Sequence, residues 1–232
     1  MIRKIIGKIV ETILPQANAE EAGKTAEDAP KAKVKTISLE ELLGGAGGPT
    51  PEPELRVIGL YSTVEDEKIA ELTQALLYLN ETNKLRDKEK EESKPVEFYI
   101  NTYGGSADDM FALYDVMQTI MEDTEIHTIG VGKVMSAGTL LLAAGTKGKR
   151  KIGKNCRVMI HNVAAGNFGT LPNLANELEA IQQLQDDYIT AMVENTKFTR
   201  KKLEKLLNEK VNIYLSAEEA VKYGLADEIM WG

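Results

Sequence analysis

A chain of 232 residues with 43% hydrophobic residues is long enough for one packed domain and a tail. Its net charge is −8, its basic residues are dispersed and its aromatics make up only 6%, which argues against a nucleic-acid surface. The lone Cys156 excludes an internal disulfide, and with only His127 and His161 and no CxxC spacing neither a metal nor another cofactor is expected.

No run approaches the ~18–20 apolar residues that cross a bilayer. Residues 1–14 instead read as an amphipathic helix, with Ile2, Ile5, Ile6, Ile9, Val10, Ile13 and Leu14 on one face and Arg3, Lys4 and Lys8 on the other. Packing on its own or a neighbouring subunit is the plainest use of such a face; contact with a membrane surface and a targeting leader are the alternatives. Residues 15–55 have the composition of a flexible linker, rich in Ala, Glu, Lys, Gly and Pro. Within it, Ser38-Leu39-Glu40-Glu41 has a capping-box pattern for a short helix.

A packed domain is expected over 56–232. The pattern predicts a strand over 56–61 and a helix over 65–82 whose apolar face carries Ile69, Leu72, Leu76 and Leu79. The mixed-charge run 84–94 reads as loop or helix extension. A strand over 96–101 then leads to Gly104-Gly105, followed by a helix over 107–121 and a strand over 125–131. The apolar segment 136–144, a strand over 157–161 and a Gly-containing stretch over 162–170 come next. The longest helix is expected over 172–196, another over 199–207, a third over 216–223 stopped by Gly224, and a last strand near 228–231. Strands alternating with helices give an α/β fold of βαβ units with right-handed crossovers.

Two junctions carry chemistry. Gly104-Gly105 between strand and helix allows unusual backbone and outward N–H groups, although a tight turn is the commoner use of such a pair. In Gly132-Lys133-Val134-Met135-Ser136-Ala137-Gly138, Ser136 opens a helix, where a serine is usually a cap. Its company argues for more: small residues flank it, a candidate oxyanion loop precedes it, and His161 ends a later strand. A serine nucleophile needs a base within hydrogen-bond reach and donors for the oxyanion.

The order of Gly104-Gly105, Ser136-Ala137-Gly138 with Leu140-Leu141-Leu142-Ala143-Ala144-Gly145, Arg157-Val158-Met159-Ile160-His161, and Leu215-Ser216-Ala217-Glu218-Glu219-Ala220 with Tyr223-Gly224-Leu225 resembles the Clp protease proteolytic subunit (ClpP) family. The resemblance covers about 56–230. It implies a ClpP/crotonase-like fold of repeated ββα units in a superhelix, with the long helix as a handle between stacked rings. It also implies a cytoplasmic serine endopeptidase that cleaves unfolded polypeptides inside a homo-oligomeric chamber fed by a separate AAA+ unfoldase, since no nucleotide motif is present.

Residue by residue, the resemblance makes Ser136 the nucleophile and His161 the base, with the backbone N–H groups of Gly105 and Ala137 as oxyanion hole. Gly104, Ser106, Asn162, Val163, Ala164, Ala165 and Gly166 would line the cleft and pair with an extended substrate. His127 matches no motif and reads as an ordinary strand or surface histidine. The chain departs from the family at Tyr103, where proline usually precedes the glycine pair; at Met135 and Ala137, usually alanine and methionine; and at Asn162-Val163, usually Gln-Pro. The aspartate that completes the triad is replaced by Asn212, which can orient the imidazole without supplying a charge; Glu209 is the alternative third member. Three other readings stay open: a capsid-maturation peptidase on the same fold, a weakly active or structural subunit of a mixed ring, and a crotonase-type enzyme, which needs no serine–histidine pair.

Overall fold

The structure, a computed structural model, describes residues 54–231 except Asn167 and Lys210. The helix expected over 1–14, the short one near Ser38 and nearly all of the linker lie outside the described residues. Those described fall in one compact unit, Pro53–Gly232.

The architecture is mixed α/β, with helices against a mostly parallel sheet. In chain order the elements are β1 (Val57–Leu60), α1 (Asp66–Lys88), β2 (Val96–Thr102), α2 (Ala107–Ile120), β3 (Ile126–Met135), α3 (Ala137–Ala143), β4 (Lys151–Gly153), β5 (Arg157–Ile160), α4 (Leu171–Asn195), α5 (Arg200–Glu209), β6 (Ile213–Leu215), α6 (Ala217–Tyr223) and β7 (Glu228–Met230). β1, β2, β3, β4 and β7 lie side by side in parallel, while β5 pairs with β3 and, in antiparallel fashion, with β6.

β3 is the pivot of the sheet. It pairs with β2 in regular register from Val96↔Ile126 to Ile100↔Gly130, then slips, so that Thr102 meets Val134. The two extra residues on β3 make a bulge, and Gly132 there takes a positive φ of 66°, which costs glycine nothing. The bend divides the far edge of β3: Ile129 and Gly130 hold β4, while Lys133, Val134 and Met135 hold β5. The sequence expectation ended this strand at Val131; the strand continues to Met135 because a bulge re-aims it instead of ending it.

Local rules explain most of the helices. α1 places Ile69, Leu72, Leu76 and Leu79 inward, as their spacing predicts. It runs six residues past the expected end, with Arg86 and Lys88 in a last turn where cations suit the helix dipole. Every residue of α3 is buried, the expected place for a helix apolar on all sides. A complete capping box, Ser216 with Glu219, opens α6, and Gly224 closes it with φ 77°. Strands β4 and β6, three residues each, were not among the expected elements.

Two buried arginines organise the flanks. Arg56 donates to Asn83 Oδ1 and the Lys94 carbonyl, both at 2.9 Å. Arg150, only 4% exposed, donates to the carbonyls of Ala143 and Asn195, so one guanidinium closes the ends of α3 and α4. Its charge is met by Asp227, at 2.6 and 2.9 Å. Burial alone would raise the Asp227 carboxyl, but hydrogen bonds from the Arg150 side chain and backbone and from the Gly148 backbone outweigh it and hold the group below its usual range.

Candidate active site

Three strands deliver the site. β2, β3 and β5 are parallel neighbours, and each ends near one level, at Thr102, Met135 and Ile160. The residues that follow are therefore brought together: Gly104 and Gly105 after β2, Ser136 after β3, His161 after β5. Ligands of parallel α/β sheets bind at such carboxyl ends.

Ser136 does not cap α3. Its side chain makes no capping bond; its Oγ instead lies 2.7 Å from His161 Nε2. The backbone at Ser136 has φ 53° and ψ −125°, a conformation that non-glycine residues rarely adopt and that stores on the order of 1–3 kcal/mol. It persists because both sides of the residue are fixed. Its N–H donates to the Met159 carbonyl at 2.8 Å, and its own carbonyl accepts from the Thr139 N–H at 2.9 Å.

The two glycines have different reasons to be there. A Cβ on Gly104 (φ 98°) would stand 2.5 Å from Ser136 Cβ and 2.9 Å from the Met135 carbonyl oxygen, so this position lets the turn lie directly on the nucleophile. A Cβ on Gly105 would meet the Val64 carbonyl at 2.1 Å. The bridge between Gly105 and Val64 is made by the Gly104 carbonyl and the Ser106 N–H, which turns the N–H of Gly105 the other way. The N–H of Ala137, first residue of its helix, has no intrahelical acceptor.

A cavity of about 650 Å³ opens beside the serine and histidine. Gly105, Ser106, Ser136, Ala137, His161, Asn162, Val163, Ala164, Ala165 and Gly166 all line it. Gly104 does not; it backs Ser136 from behind. Ser106 also caps α2, accepting from the Asp109 N–H at 3.2 Å.

Asn212 does not line the cavity. Continuing the register Val158↔Leu215, Met159↔Tyr214, Ile160↔Ile213 by one step sets Asn212 opposite His161. Among the described residues, however, the second ring nitrogen of His161 has no hydrogen-bond partner, and Asn212 is exposed. Glu209 faces Lys205 on its own helix at 3.7 Å. His127 sits within β3 and contacts Glu125 at 2.8 Å, away from the serine. No group of three or more metal-binding side chains occurs among the described residues, and burial pushes the Cys156 thiol up to about 11, which keeps it a thiol.

Sequence reasoning missed the floor of the cleft. α4 contributes Glu177, Ala180, Ile181, Leu184, Asp187 and Tyr188 to the lining. Gln185 of α4 accepts from the Val163 N–H at 2.6 Å. The N–H at this position exists because valine stands where the resembling family has proline, so the departure itself pointed to a missing partner. Tyr188, 4% exposed, bonds Thr139, and burial pushes its phenol up to about 12.

Comparison with known proteins gives the family. A sequence model of the Clp protease family matches residues 53–232. Over 175 residues the chain is 34% identical to the ATP-dependent Clp protease proteolytic subunit of Deinococcus radiodurans, covering 75% of this chain and 80% of that protein. With its sheet, its strand-end serine and histidine and this match over most of its length, the chain belongs to the Clp protease family and is a serine-type endopeptidase.

Proposed function

We propose that Ser136 and His161 hydrolyse internal peptide bonds of unfolded polypeptides in a chamber built from copies of this chain. The observation that carries the assignment is the 2.7 Å contact between Ser136 Oγ and His161 Nε2 at the wall of the cavity. His161 Nε2 accepts the hydroxyl proton as Oγ attacks the scissile carbonyl. The oxygen that becomes negative is met by the N–H groups of Gly105 and Ala137; one such donor is worth about 10²–10³ in rate. The imidazolium then gives its proton to the leaving amine, and a water activated by the same nitrogen releases the acyl group. Asn212, one register step beyond Ile213 and opposite His161, is the residue assigned to accept from the imidazole, once its side chain turns toward the ring.

The stretch 162–166 continues from β5, and four of its five residues are exposed, which suits it to hold a substrate as an added strand. Reading backbone gives little sequence selectivity, so selection falls to restricted access: stacked rings joined through α4, fed by an AAA+ unfoldase in the cytoplasm. The first half of α4 supports an interface there, since Leu171, Leu174 and Leu178 are exposed along one side. Among the described residues no helix is long and apolar enough to cross a membrane.

Among the described residues the second ring nitrogen of His161 has no hydrogen-bond partner, which favours a second reading, in which the chain is a weakly active member of a mixed ring. One experiment separates the two. A fluorophosphonate probe applied to the assembled protein is expected to label Ser136, and labelling should vanish in Ser136→Ala and in His161→Ala. No labelling of the assembled wild type would leave only the structural role.

A further inference from the structure

The peptide group between Ser136 and Ala137 has two ends with different duties. Its N–H faces the cleft as an oxyanion donor in the proposed reaction, on which the following inference rests. Its carbonyl points inward. There it accepts two hydrogen bonds from one residue, the Thr139 N–H at 2.9 Å and the Thr139 hydroxyl at 2.7 Å. Having spent its one proton on the carbonyl, the hydroxyl is the acceptor for Tyr188, whose oxygen lies 2.9 Å away. Both residues are buried, and Tyr188 comes from α4, the helix that floors the cavity.

We infer that Thr139 and Tyr188 are positioning residues that hold the Ser136–Ala137 peptide with its N–H aimed at the oxyanion. The need for such a hold follows from the backbone at Ser136. With φ at 53° and ψ at −125°, a half-turn of this peptide would relieve Ser136 by carrying it near the left-handed helical well. It is opposed by the matching change that takes Ala137 out of its helical φ and by the bonds on the carbonyl. The same half-turn would swing the Ala137 N–H away from the cleft. A carbonyl gripped by a buried hydroxyl, itself gripped by a buried phenol, opposes that rotation. The two-link relay from Tyr188 through Thr139 also polarises the peptide, which strengthens its N–H as a donor. Ala137 and Gly138 offer no side chain for this purpose, so the first residue of α3 able to reach back to the carbonyl is Thr139.

The test compares assembled wild type, Thr139→Val, Thr139→Ser and Tyr188→Phe in steady-state cleavage of an unfolded reporter protein. It is read together with the affinity of a peptide boronate, whose tetrahedral adduct places an oxygen where the oxyanion forms. Thr139→Val is expected to lower kcat about tenfold with KM within about twofold, and boronate affinity should fall by the same ratio. Thr139→Ser keeps the hydroxyl and is expected to stay within about twofold of wild type, while Tyr188→Phe loses about threefold in kcat. Thermal melting and native mass spectrometry establish that each variant is folded and assembled; should the valine variant fail there, Tyr188→Phe carries the test. Unchanged kcat and boronate affinity, a loss confined to KM, or a serine variant as impaired as the valine one would each overturn the inference. Ser136→Ala is measured alongside: cleavage by that variant would remove the nucleophile assignment itself. An inactive Ser136→Ala beside a fully active, folded Thr139→Val would remove only the role of Thr139 and Tyr188.

Discussion

The two walls of the cleft are built to different standards. On the serine side everything is fixed: α3 is wholly buried, Ser136 is held at both its N–H and its carbonyl, and Gly104 lies against it with no room for a methyl group. On the histidine side, residues 162 and 164–166 are exposed and Val163 half-buried. Among the described residues the restraints there are few: Asn162 Nδ2 donates to the Leu207 carbonyl at 3.1 Å, and the Val163 N–H donates to Gln185. The difference follows from what each wall must do. A nucleophile and its oxyanion donors have to hold their geometry to within about 0.5 Å. A strand that receives many different peptides has to adjust, and loosely packed segments are where adjustment is available.

The comparison can be broken at four places. The largest effect is expected from Gly104→Ala, because the new methyl strikes Ser136 and the Met135 carbonyl rather than a flexible side-chain end. Activity toward an unfolded protein should fall by about 10³-fold through misplacement of nucleophile and oxyanion donors; a folded variant within tenfold of wild type would show that the serine wall yields. Next comes Asp227→Asn, which leaves the buried Arg150 charge unmet behind α3 and α4. A loss of about 3 kcal/mol in urea unfolding is expected. The contribution has a definite pH sign. Because the Asp227 carboxyl is held below its ordinary value of 3.8, its stabilisation is complete above that value and drains away as pH falls through the lower folded-state value. The wild-type and asparagine curves should therefore converge in strong acid and separate above it.

The histidine wall should respond more mildly. Asn212→Ala is expected to lower kcat by on the order of tenfold, since an amide orients the ring without charging it, while Glu209→Ala should change little. The reverse ranking would move the third role to Glu209. Gln185→Ala frees the Val163 N–H; KM for a peptide should rise about threefold, in line with one modest hydrogen bond, with kcat unchanged. A fall in kcat instead would mean that this wall also positions the reacting groups.

What could be read in the chain follows the same division. The glycine pair, the serine and the histidine stood out through their order and flanking motifs, since the local rule at each favours a turn, a cap or a plain strand histidine. α1, α2 and α6 were legible from apolar spacing and caps, down to Ser216 with Glu219 and the stop at Gly224. The bulge in β3 was not, because a glycine inside a strand and one in a turn look alike until the partner strands set the register. Nor was the floor from α4: its contributions depend on which face of a 25-residue helix meets the cleft, and that is settled by packing far from it in sequence. Thr139 and Tyr188, 49 residues apart, each look like ordinary core residues.

The order of the strands along the chain sets a clock. β6 and β7 come last, yet β6 flanks β5 and β7 flanks β4, and Asp227 arrives with them to meet Arg150. On the ribosome, Ser136 and His161 are both made long before these pieces. Translation at roughly 5–20 residues per second leaves an interval of several seconds in which β5 has an open edge and Arg150 has no counter-ion. The groups that hold Ser136 itself, Met159, Thr139 and Tyr188, are already made by then, so what is missing is the outer frame of the site and not its inner hold. Until β6 and β7 join, the sheet that carries the serine and histidine lacks its last edges and the buried Arg150 its partner.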